Sequence, residues 1–173
     1  MKKKTFYSIL TLLFIFIFIL LFKSLFNVNV YKPSEIKNKE LVEFSGKDLL
    51  LNKNINIKKL LIKKNFTIIN IWASWCTPCK SEHKKLMELS NLDNLTLVGL
   101  NYKDKPISAK KFINDMGNPY SKILTDPDGT ISIQLGAYGI PETFLINKNS
   151  KILKKYIGEL TIEQILEIKK IIN

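Results

Sequence analysis

An apolar strand that runs straight into a cysteine-bearing helix constrains this chain more than any other feature. Phe66–Trp72 is a run of apolar, β-branched and aromatic side chains without the alternation of a half-buried strand. Such runs are typical of strands covered on both faces, as in parallel sheets. Residues 76–90 follow with helical spacing of Leu86 and Leu89. The sequence therefore predicts a strand–helix unit that turns at its first cysteine.

The later elements predict a mixed sheet. Leu95–Tyr102 is a second predicted strand, and Pro106–Met116 is a predicted helix that Gly117 ends. This parallel βαβ unit should be followed by an antiparallel hairpin. Residues 41–44 form a weak strand candidate, and residues 52–64 have no clear period. The other predicted elements are a turn at 126–129, a short helix at 130–135, strands at 142–147 and 151–156, and an amphipathic helix at 161–172.

The N-terminus carries an apolar run between lysines. Residues 5–22 form an uncharged stretch of 18 residues, with lysines at positions 2–4 before it and Lys23 after it. As a helix this stretch reaches ~27 Å, close to the ~30 Å hydrocarbon core of a bilayer. The leading lysines favour an N-inside orientation. We therefore expect a cytoplasmic tail at 1–4, a transmembrane anchor at 5–22, a tether at 23–39 and a folded domain at 40–173.

A cleaved signal peptide is the alternative for this segment. The apolar stretch of a signal peptide typically has ~7–15 residues and precedes a small-residue cleavage site. The run here is longer, and residues 23–28 offer no small-x-small site. We therefore expect an uncleaved, single-pass anchor in the cytoplasmic (inner) membrane, with the soluble domain on the periplasmic or outer side.

The strongly basic composition does not indicate nucleic-acid binding. The formal net charge is +12, yet the sequence contains no arginine, the residue best suited to bidentate phosphate and base contacts. The lysines are spread along the chain rather than clustered. We interpret them as a solvated surface and expect no nucleic-acid partner.

The two cysteines are best interpreted as a redox pair. Zinc would need more ligands than Cys76 and Cys79 supply, and His83 is the only histidine. A structural disulfide framework usually has more pairs. At a helix N-terminus, unpaired N–H groups and the helix dipole stabilise a thiolate, the attacking species in disulfide exchange. We expect Cys76 to be the nucleophile and Cys79 the resolving thiol, with no metal and no cofactor beyond their reversible disulfide.

Several motifs together resemble one family. The stretch from Trp72 to Lys80, W-A-S-W-C-T-P-C-K, is similar to the thioredoxin superfamily. The stretches G-A-Y-G-I-P-E-T-F-L-I at 136–146, G-L-N-Y-K-D at 99–104 and G-N-P-Y at 117–120 closely resemble the CcmG/DsbE family. This is a family of membrane-tethered, thioredoxin-like thiol:disulfide interchange proteins of cytochrome c biogenesis. The similarity covers roughly residues 66–160.

The resemblance implies a fold, a reaction and partners. The fold would be α/β and thioredoxin-like, a central mixed sheet flanked by helices, joined to a single N-terminal transmembrane helix. Family members act as reductants on the outer face of the membrane. They take electrons from a membrane thiol donor of the DsbD/CcdA type. They pass them to the heme-binding cysteines of apocytochrome c or to a CcmH-like thiol protein. The lipid bilayer would be a further partner, and we expect a monomer.

The resemblance also implies a client-binding surface beside the cysteines. In thioredoxin-like folds the bond that matches Ile140–Pro141 is cis, so we expect a cis bond here. It would present the backbone of Ile140 to a client chain for β-like pairing. Trp75 and the dipeptide Thr77-Pro78 would complete this surface.

Two glutamates are candidates for tuning the thiols. Thioredoxin has a buried aspartate where this chain has Asn70, so another proton acceptor is needed. Glu82 lies one helical turn after Cys79, and Glu142 follows Pro141. In similar proteins, acidic groups near the pair raise the thiol pKa and accept a proton. The alternative for each is a solvated or structural side chain, and His83 is expected on the helix surface rather than as a ligand.

Three other functions are alternatives to a cytochrome c reductant. A general periplasmic thiol reductase with other clients has the same motifs. A Sco-like copper-binding assembly protein wants a wider cysteine spacing and a distant histidine, whereas His83 lies close to the pair. A thiol peroxidase would need an activating arginine, which the sequence lacks.

Cell fractionation tests the expected anchor. If the apolar run is retained, the mature protein should begin at or near Met1 and stay with membranes through a salt wash, because a spanning helix is held by apolar burial rather than by charge. N-terminal sequencing of the membrane fraction checks this. A soluble form that begins after Phe22 would contradict it. As a control, a variant lacking residues 1–32 should fold and exchange thiols in solution.

Overall fold

The computed structural model describes residues 2–26 and 38–172. Residues 2–26 form helix α1 (Lys2–Phe26), which is a separate unit from the folded domain. Its segment Lys3–Lys23 is long and apolar enough to cross a membrane. The helix begins before the predicted span and continues past it, since no glycine or proline interrupts it. The first residues of the predicted tether are therefore helical, and residues 27–37 of that tether lie outside the described residues.

The folded domain is built on one seven-stranded mixed sheet, in the order β2-β1-β5-β4-β3-β6-β7. The pairs β3–β4 and β4–β5 are parallel, and the other four pairs are antiparallel. The strands are β1 (Ser45–Asp48), β2 (Asn54–Asn56), β3 (Phe66–Trp72), β4 (Leu95–Tyr102), β5 (Lys122–Asp126), β6 (Glu142–Asn147) and β7 (Ile152–Ile157). The helices of the domain are α2 (Lys58–Leu61), α3 (Thr77–Leu89), α4 (Pro106–Met116), α5 (Thr130–Gln134) and α6 (Ile162–Ile172).

The predicted βαβ unit and hairpin are confirmed. Strand β3 is buried along nearly its whole length and lies between β4 and β6. Helix α3 connects β3 to β4, and α4 begins at Pro106 and ends at Gly117, whose φ is +89°. Strands β6 and β7 pair as the predicted antiparallel hairpin. The fold is thus the expected thioredoxin-like one, a mixed sheet flanked by helices.

The outer strands on the β5 side of the sheet were not predicted. Strand β5 pairs in parallel with β4 but carries only two apolar core residues, Ile123 and Leu124, so its pattern is weak. The predicted strand at 41–44 is wrong. Leu41 and Phe44 are buried as core side chains of an irregular segment, and the polar strand β1 follows them.

The folded domain includes the last predicted tether residues. The amide of Asn38 donates to the carbonyl of Ile152 at 2.8 Å, and the amide of Ile152 donates to the carbonyl of Lys39 at 2.9 Å. Glu40 and Lys151 form an isolated antiparallel bridge. Residues 38 and 39 are therefore held against the first residue of β7 by backbone hydrogen bonds.

One face of the sheet carries the main core. Side chains of β3 and β4 pack there with the apolar faces of α3, α4 and α6. On α6 the buried positions are Ile165, Ile168 and Ile172, whereas Ile162 and Leu166 are exposed. Both exposed residues are apolar, but only one stripe of the helix can face the sheet.

Aromatic packing behind the cysteines leaves no room at Gly99. The Trp72 ring stacks on Tyr120 and also contacts Phe112, with ring centroids 5.5 and 5.1 Å away. A Cβ atom on Gly99 would lie 2.7 Å from Trp72 Nε1 and 3.0 Å from the Tyr120 ring. Glycine is therefore required for this aromatic stack to approach β4.

Gly99→Ala should lower the free energy of unfolding by roughly 1–3 kcal/mol, because the added methyl group displaces buried rings. Gly139→Ala is the control. A Cβ there meets nothing within 4 Å. Denaturant unfolding of both variants checks the expectation. Equal stability of the two variants would contradict the close packing at Gly99.

Candidate active site

The two cysteines form a disulfide at the start of α3. Cys76 is the N-cap residue, and its Sγ accepts a hydrogen bond from the Cys79 amide at 3.2 Å. Thr77 and Pro78 form the exposed first turn of the helix, while both cysteines are buried. In the reduced state, an amide directed at Sγ and the helix dipole would stabilise negative charge on Cys76 rather than on Cys79.

A turn after β4 holds the segment that precedes Cys76. Both carboxylate oxygens of Asp104 accept from Ser74, from its amide at 2.6 Å and from its hydroxyl at 2.8 Å. Trp75 is largely exposed, and its indole Nε1 donates to the carbonyl of Lys103 at 3.1 Å. Asp104 ends the G-L-N-Y-K-D motif, but the sequence alone did not indicate a role for it. Its signal was an acidic residue directly after a strand that neighbours β3.

The sheet register brings the proline loop to the cysteines. Ile71, near the end of β3, lies opposite Glu142 at the start of β6. Pro141 directly precedes β6, so it lies at the same end of the sheet at which the chain leaves β3 toward Cys76. The Ile140–Pro141 peptide bond is cis, as the resemblance implied. Ile140 is partly exposed and Pro141 is buried.

Glu82 is buried beneath the disulfide-bearing turn. Its side chain is fully inaccessible, so its interpretation as a solvated helix residue is wrong. Oε1 accepts from Asn70 Nδ2 and Oε2 accepts from the Leu160 amide, each at 2.9 Å. Burial raises the pKa of Glu82 to about 7, and the two hydrogen bonds oppose that shift without cancelling it. A carboxyl group with this pKa can take up or release a proton near neutral pH.

Asn70 orients Glu82 from the middle of β3. Its amide nitrogen donates to Glu82 and, at 3.0 Å, to Thr143 Oγ1. Its amide oxygen accepts from the hydroxyl of Tyr120 at 2.8 Å. Burial first, and then the charge of Glu82, raises the pKa of Tyr120 far above its usual value, so Tyr120 stays a neutral donor. The asparagine that replaces the expected acid therefore positions an acid on the neighbouring helix.

Glu142 lies on the opposite face of the sheet from Glu82. Asn70 points toward α3, so the next residue, Ile71, points away from it, and its cross-strand partner Glu142 does the same. Glu142 is buried and forms an ion pair with Lys155, with 2.8 Å between Oε2 and Nζ. The structure thus places only one of the two candidate glutamates on the cysteine-helix side.

His83 is buried, which corrects its predicted surface position. Its Nε2 lies 3.0 Å from the carbonyl oxygen of Gly117, and its ring meets Phe112 edge-on. Burial lowers the pKa of His83, so the ring is held neutral. Among residues 2–26 and 38–172, no group of three or more His, Cys, Asp or Glu side chains is placed to hold a metal ion.

Comparison with known proteins agrees with this geometry. The Redoxin family model matches residues 34–171. The chain is 44% identical over 100 residues to the thiol:disulfide interchange protein CycY of Rhizobium leguminosarum bv. viciae, covering 58% of this chain and 54% of that protein. It is 38% identical over 130 residues to the DsbE-2 protein of Pasteurella multocida (strain Pm70), covering 75% of this chain and 68% of that protein. The chain therefore spans about half the length of the first relative and about two thirds of the second.

A solved structure has the same fold. The crystal structure of a DsbF homologue from Corynebacterium diphtheriae superposes with a TM-score of 0.68 at 25% identity, covering 81% of this chain and 89% of that one. The family match, the relatives and the cysteine-bearing turn beside a cis-proline all indicate the same group. The chain belongs to the Redoxin family and, within it, to the thiol:disulfide interchange proteins of the DsbE type.

Proposed function

We propose that this protein is a membrane-anchored thiol reductant that works on the outer face of the cytoplasmic membrane. Its clients would be the oxidised heme-binding cysteines of apocytochrome c, or a CcmH-like thiol protein that acts on them. The observation that carries the proposal is the Cys76–Cys79 disulfide at a helix N-terminus, with Glu82 buried on the same helix. Family membership supports thiol:disulfide exchange as the reaction class.

The first step is attack on the client. The Cys76 thiolate attacks one sulfur of a client disulfide, so a Cys76–client bond forms while the client bond breaks. The departing client thiolate takes a proton from water. The amide of Cys79 stabilises the attacking thiolate, and the exposed Trp75 and first helical turn provide a contact surface. The backbone of Ile140 pairs with the client chain.

The second step resolves the mixed disulfide. Cys79 transfers its thiol proton to Glu82, one helical turn away, and the new thiolate attacks Cys76 Sγ. The Cys76–client bond breaks as the Cys76–Cys79 bond forms, and the second client sulfur leaves as a thiolate that takes a proton from water. Glu82 returns its proton to the solvent, and two electrons have passed to the client. The protein is left with the Cys76–Cys79 disulfide that the structure contains.

A reducing role fits the surroundings of the pair. Thr77-Pro78 places no cation between the cysteines, and a carboxylate at Glu82 opposes thiolate formation, so the reduced form is not stabilised as in strong oxidants.

A membrane thiol donor of the DsbD/CcdA type would return two electrons after each cycle. Anchoring by α1 would raise the effective concentration of donor and clients. A general periplasmic thiol reductase shares this chemistry and differs only in its clients.

Trapping with Cys79→Ser separates these client choices. Without the resolving thiol, the mixed disulfide at Cys76 should accumulate with an oxidised Cys-x-x-Cys-His peptide, the heme-attachment motif. Mass spectrometry of the adduct and non-reducing gels check this. Cys76→Ser is the matched control and should trap nothing. Equal trapping of unrelated disulfide peptides would favour the general reductase instead.

Glu82→Gln should slow release of the mixed disulfide by roughly 100-fold at neutral pH, because Cys79 loses its base. Cys79 should also titrate at lower pH, since a negative neighbour is removed. Stopped-flow release and the pH dependence of alkylation measure these effects. Glu142→Gln is the comparison and should leave the Cys79 titration nearly unchanged, because Glu142 faces away from α3. Unaltered release in Glu82→Gln would rule out the proton-acceptor role.

Stability should change with pH in the same variant. The folded pKa of Glu82, about 7, lies above its ordinary value of 4.5, so its contribution to stability is complete below pH 4.5 and is lost as pH rises through 7. The wild type should therefore lose roughly 3 kcal/mol between pH 4.5 and pH 8 relative to Glu82→Gln. Urea unfolding at the two pH values measures this difference.

A further inference from the structure

A buried ion pair lies on the face of the sheet that points away from α3. The side chains of Lys155 and Glu142 are both fully inaccessible, and Nζ lies 2.8 Å from Oε2. Phe144 separates them in the ladder, since it is the cross-strand partner of Lys155 and lies two residues after Glu142. The lysine on edge strand β7 therefore reaches diagonally to the first residue of β6.

Both members of the pair also bind the backbone of the loop before the cis-proline. Glu142 Oε1 accepts from the amides of Tyr138 and Gly139, at 2.8 and 3.2 Å. Lys155 Nζ donates to the carbonyl of Gly136 at 2.8 Å. Three backbone groups within residues 136–139 are thus bound by one ion pair that does not itself belong to the loop.

The same ammonium group lies under an exposed aromatic ring. Lys155 Nζ is 4.8 Å from the centroid of the Tyr138 ring and 5.3 Å from that of Phe144, within the range of cation–π attraction. Phe144 is fully buried, whereas the Tyr138 side chain is 65% exposed. The Tyr138 ring therefore covers the ammonium group of Lys155 on one side and is exposed to solvent on the other. Tyr138 is two residues before Ile140 in the chain.

Stability alone does not explain such a pair. Desolvating two charges costs about as much as their attraction returns, and well-packed apolar residues often serve as well or better. The pair also faces away from Cys79, so the proposed proton transfer does not use it. The pair provides charge-assisted hydrogen bonds to three backbone groups of the loop, and apolar side chains could not form these bonds.

We infer that Lys155 is a positioning residue for client binding. Through Glu142 it holds the Gly136–Pro141 loop, so that the Ile140 backbone and the Tyr138 ring meet the client peptide together. Tyr138 is the side chain of this loop that contacts the client. The inference rests on the proposed function and assigns Glu142 to anchoring instead of proton transfer.

Single-turnover kinetics of the reduced full-length protein test this role. The probes are the oxidised Cys-x-x-Cys-His peptide and 2-hydroxyethyl disulfide. The second is too small to contact the loop while it reacts with Cys76. Rates at increasing peptide concentration give a half-saturation concentration for docking and a limiting rate for chemistry. The variants are Lys155→Met, Lys155→Arg and Tyr138→Ala. Lys154→Met is the control, because Lys154 lies on the same strand and pairs with Glu167 near the surface.

Lys155→Met should raise the half-saturation concentration for the peptide on the order of tenfold, as expected for losing charge-assisted bonds. The ratio of the peptide rate to the small-disulfide rate should fall accordingly. Lys155→Arg should restore much of the docking because it keeps a charged donor, and Tyr138→Ala should raise the half-saturation concentration as well. Lys154→Met should match the wild type.

The remaining outcomes are equally decisive. A wild-type half-saturation concentration in folded Lys155→Met overturns the inference, and so does a slowed limiting rate with unchanged docking, which would assign proton transfer to Glu142. If Lys155→Met does not fold, Glu142→Met/Lys155→Met takes its place, because it leaves no unpaired buried charge. Wild-type docking in that double variant also overturns the inference. Failure of the wild type to react with either disulfide would instead overturn the proposed function.

Discussion

Burial of strand β3 on both faces is the constraint on which the rest of the structure depends. A strand in this position needs partners on both edges and covering layers on both faces, and β4, β6 and the helices supply them. Its C-terminal end leads to the disulfide, and its antiparallel partner β6 begins directly after the cis-proline. A single ladder therefore sets the relative position of the redox pair and the loop proposed to receive the client.

The alternation of side chains along that ladder separates two buried glutamates of the same intrinsic acidity. Glu82 meets neutral donors, so burial dominates and raises its pKa to about 7. Glu142 meets an ammonium group and two amides on the far face. The Glu82 site is suited to taking up and releasing a proton, whereas the Glu142 site is suited to holding the backbone of the proline loop. Environment, not residue type, distinguishes the roles proposed for them.

Local signals identified the parts of the fold that carry strong patterns. The apolar run of β3, the proline and glycine at the ends of α4, and the hairpin of β6 and β7 were all predicted from the sequence. Strand β5 was not predicted because its two adjacent apolar residues give no strand periodicity. The strand predicted at 41–44 was wrong because Leu41 and Phe44 are core side chains of an irregular segment. These errors share one cause. Short elements with few apolar residues are selected by the strands and core that they pack against and not by their own composition.

The sequence by itself determined the redox pair, its place at a helix N-terminus, and the family motifs around the proline, because each depends on neighbouring residues. It also supplied both glutamates as candidates. Only the tertiary structure decided that Glu82 and His83 are buried, that Asn70 and Tyr120 orient the acid, and that Lys155 pairs with Glu142. The physical reason is that charge state depends on desolvation and on partners. Those partners come from strands and helices that are distant in the chain.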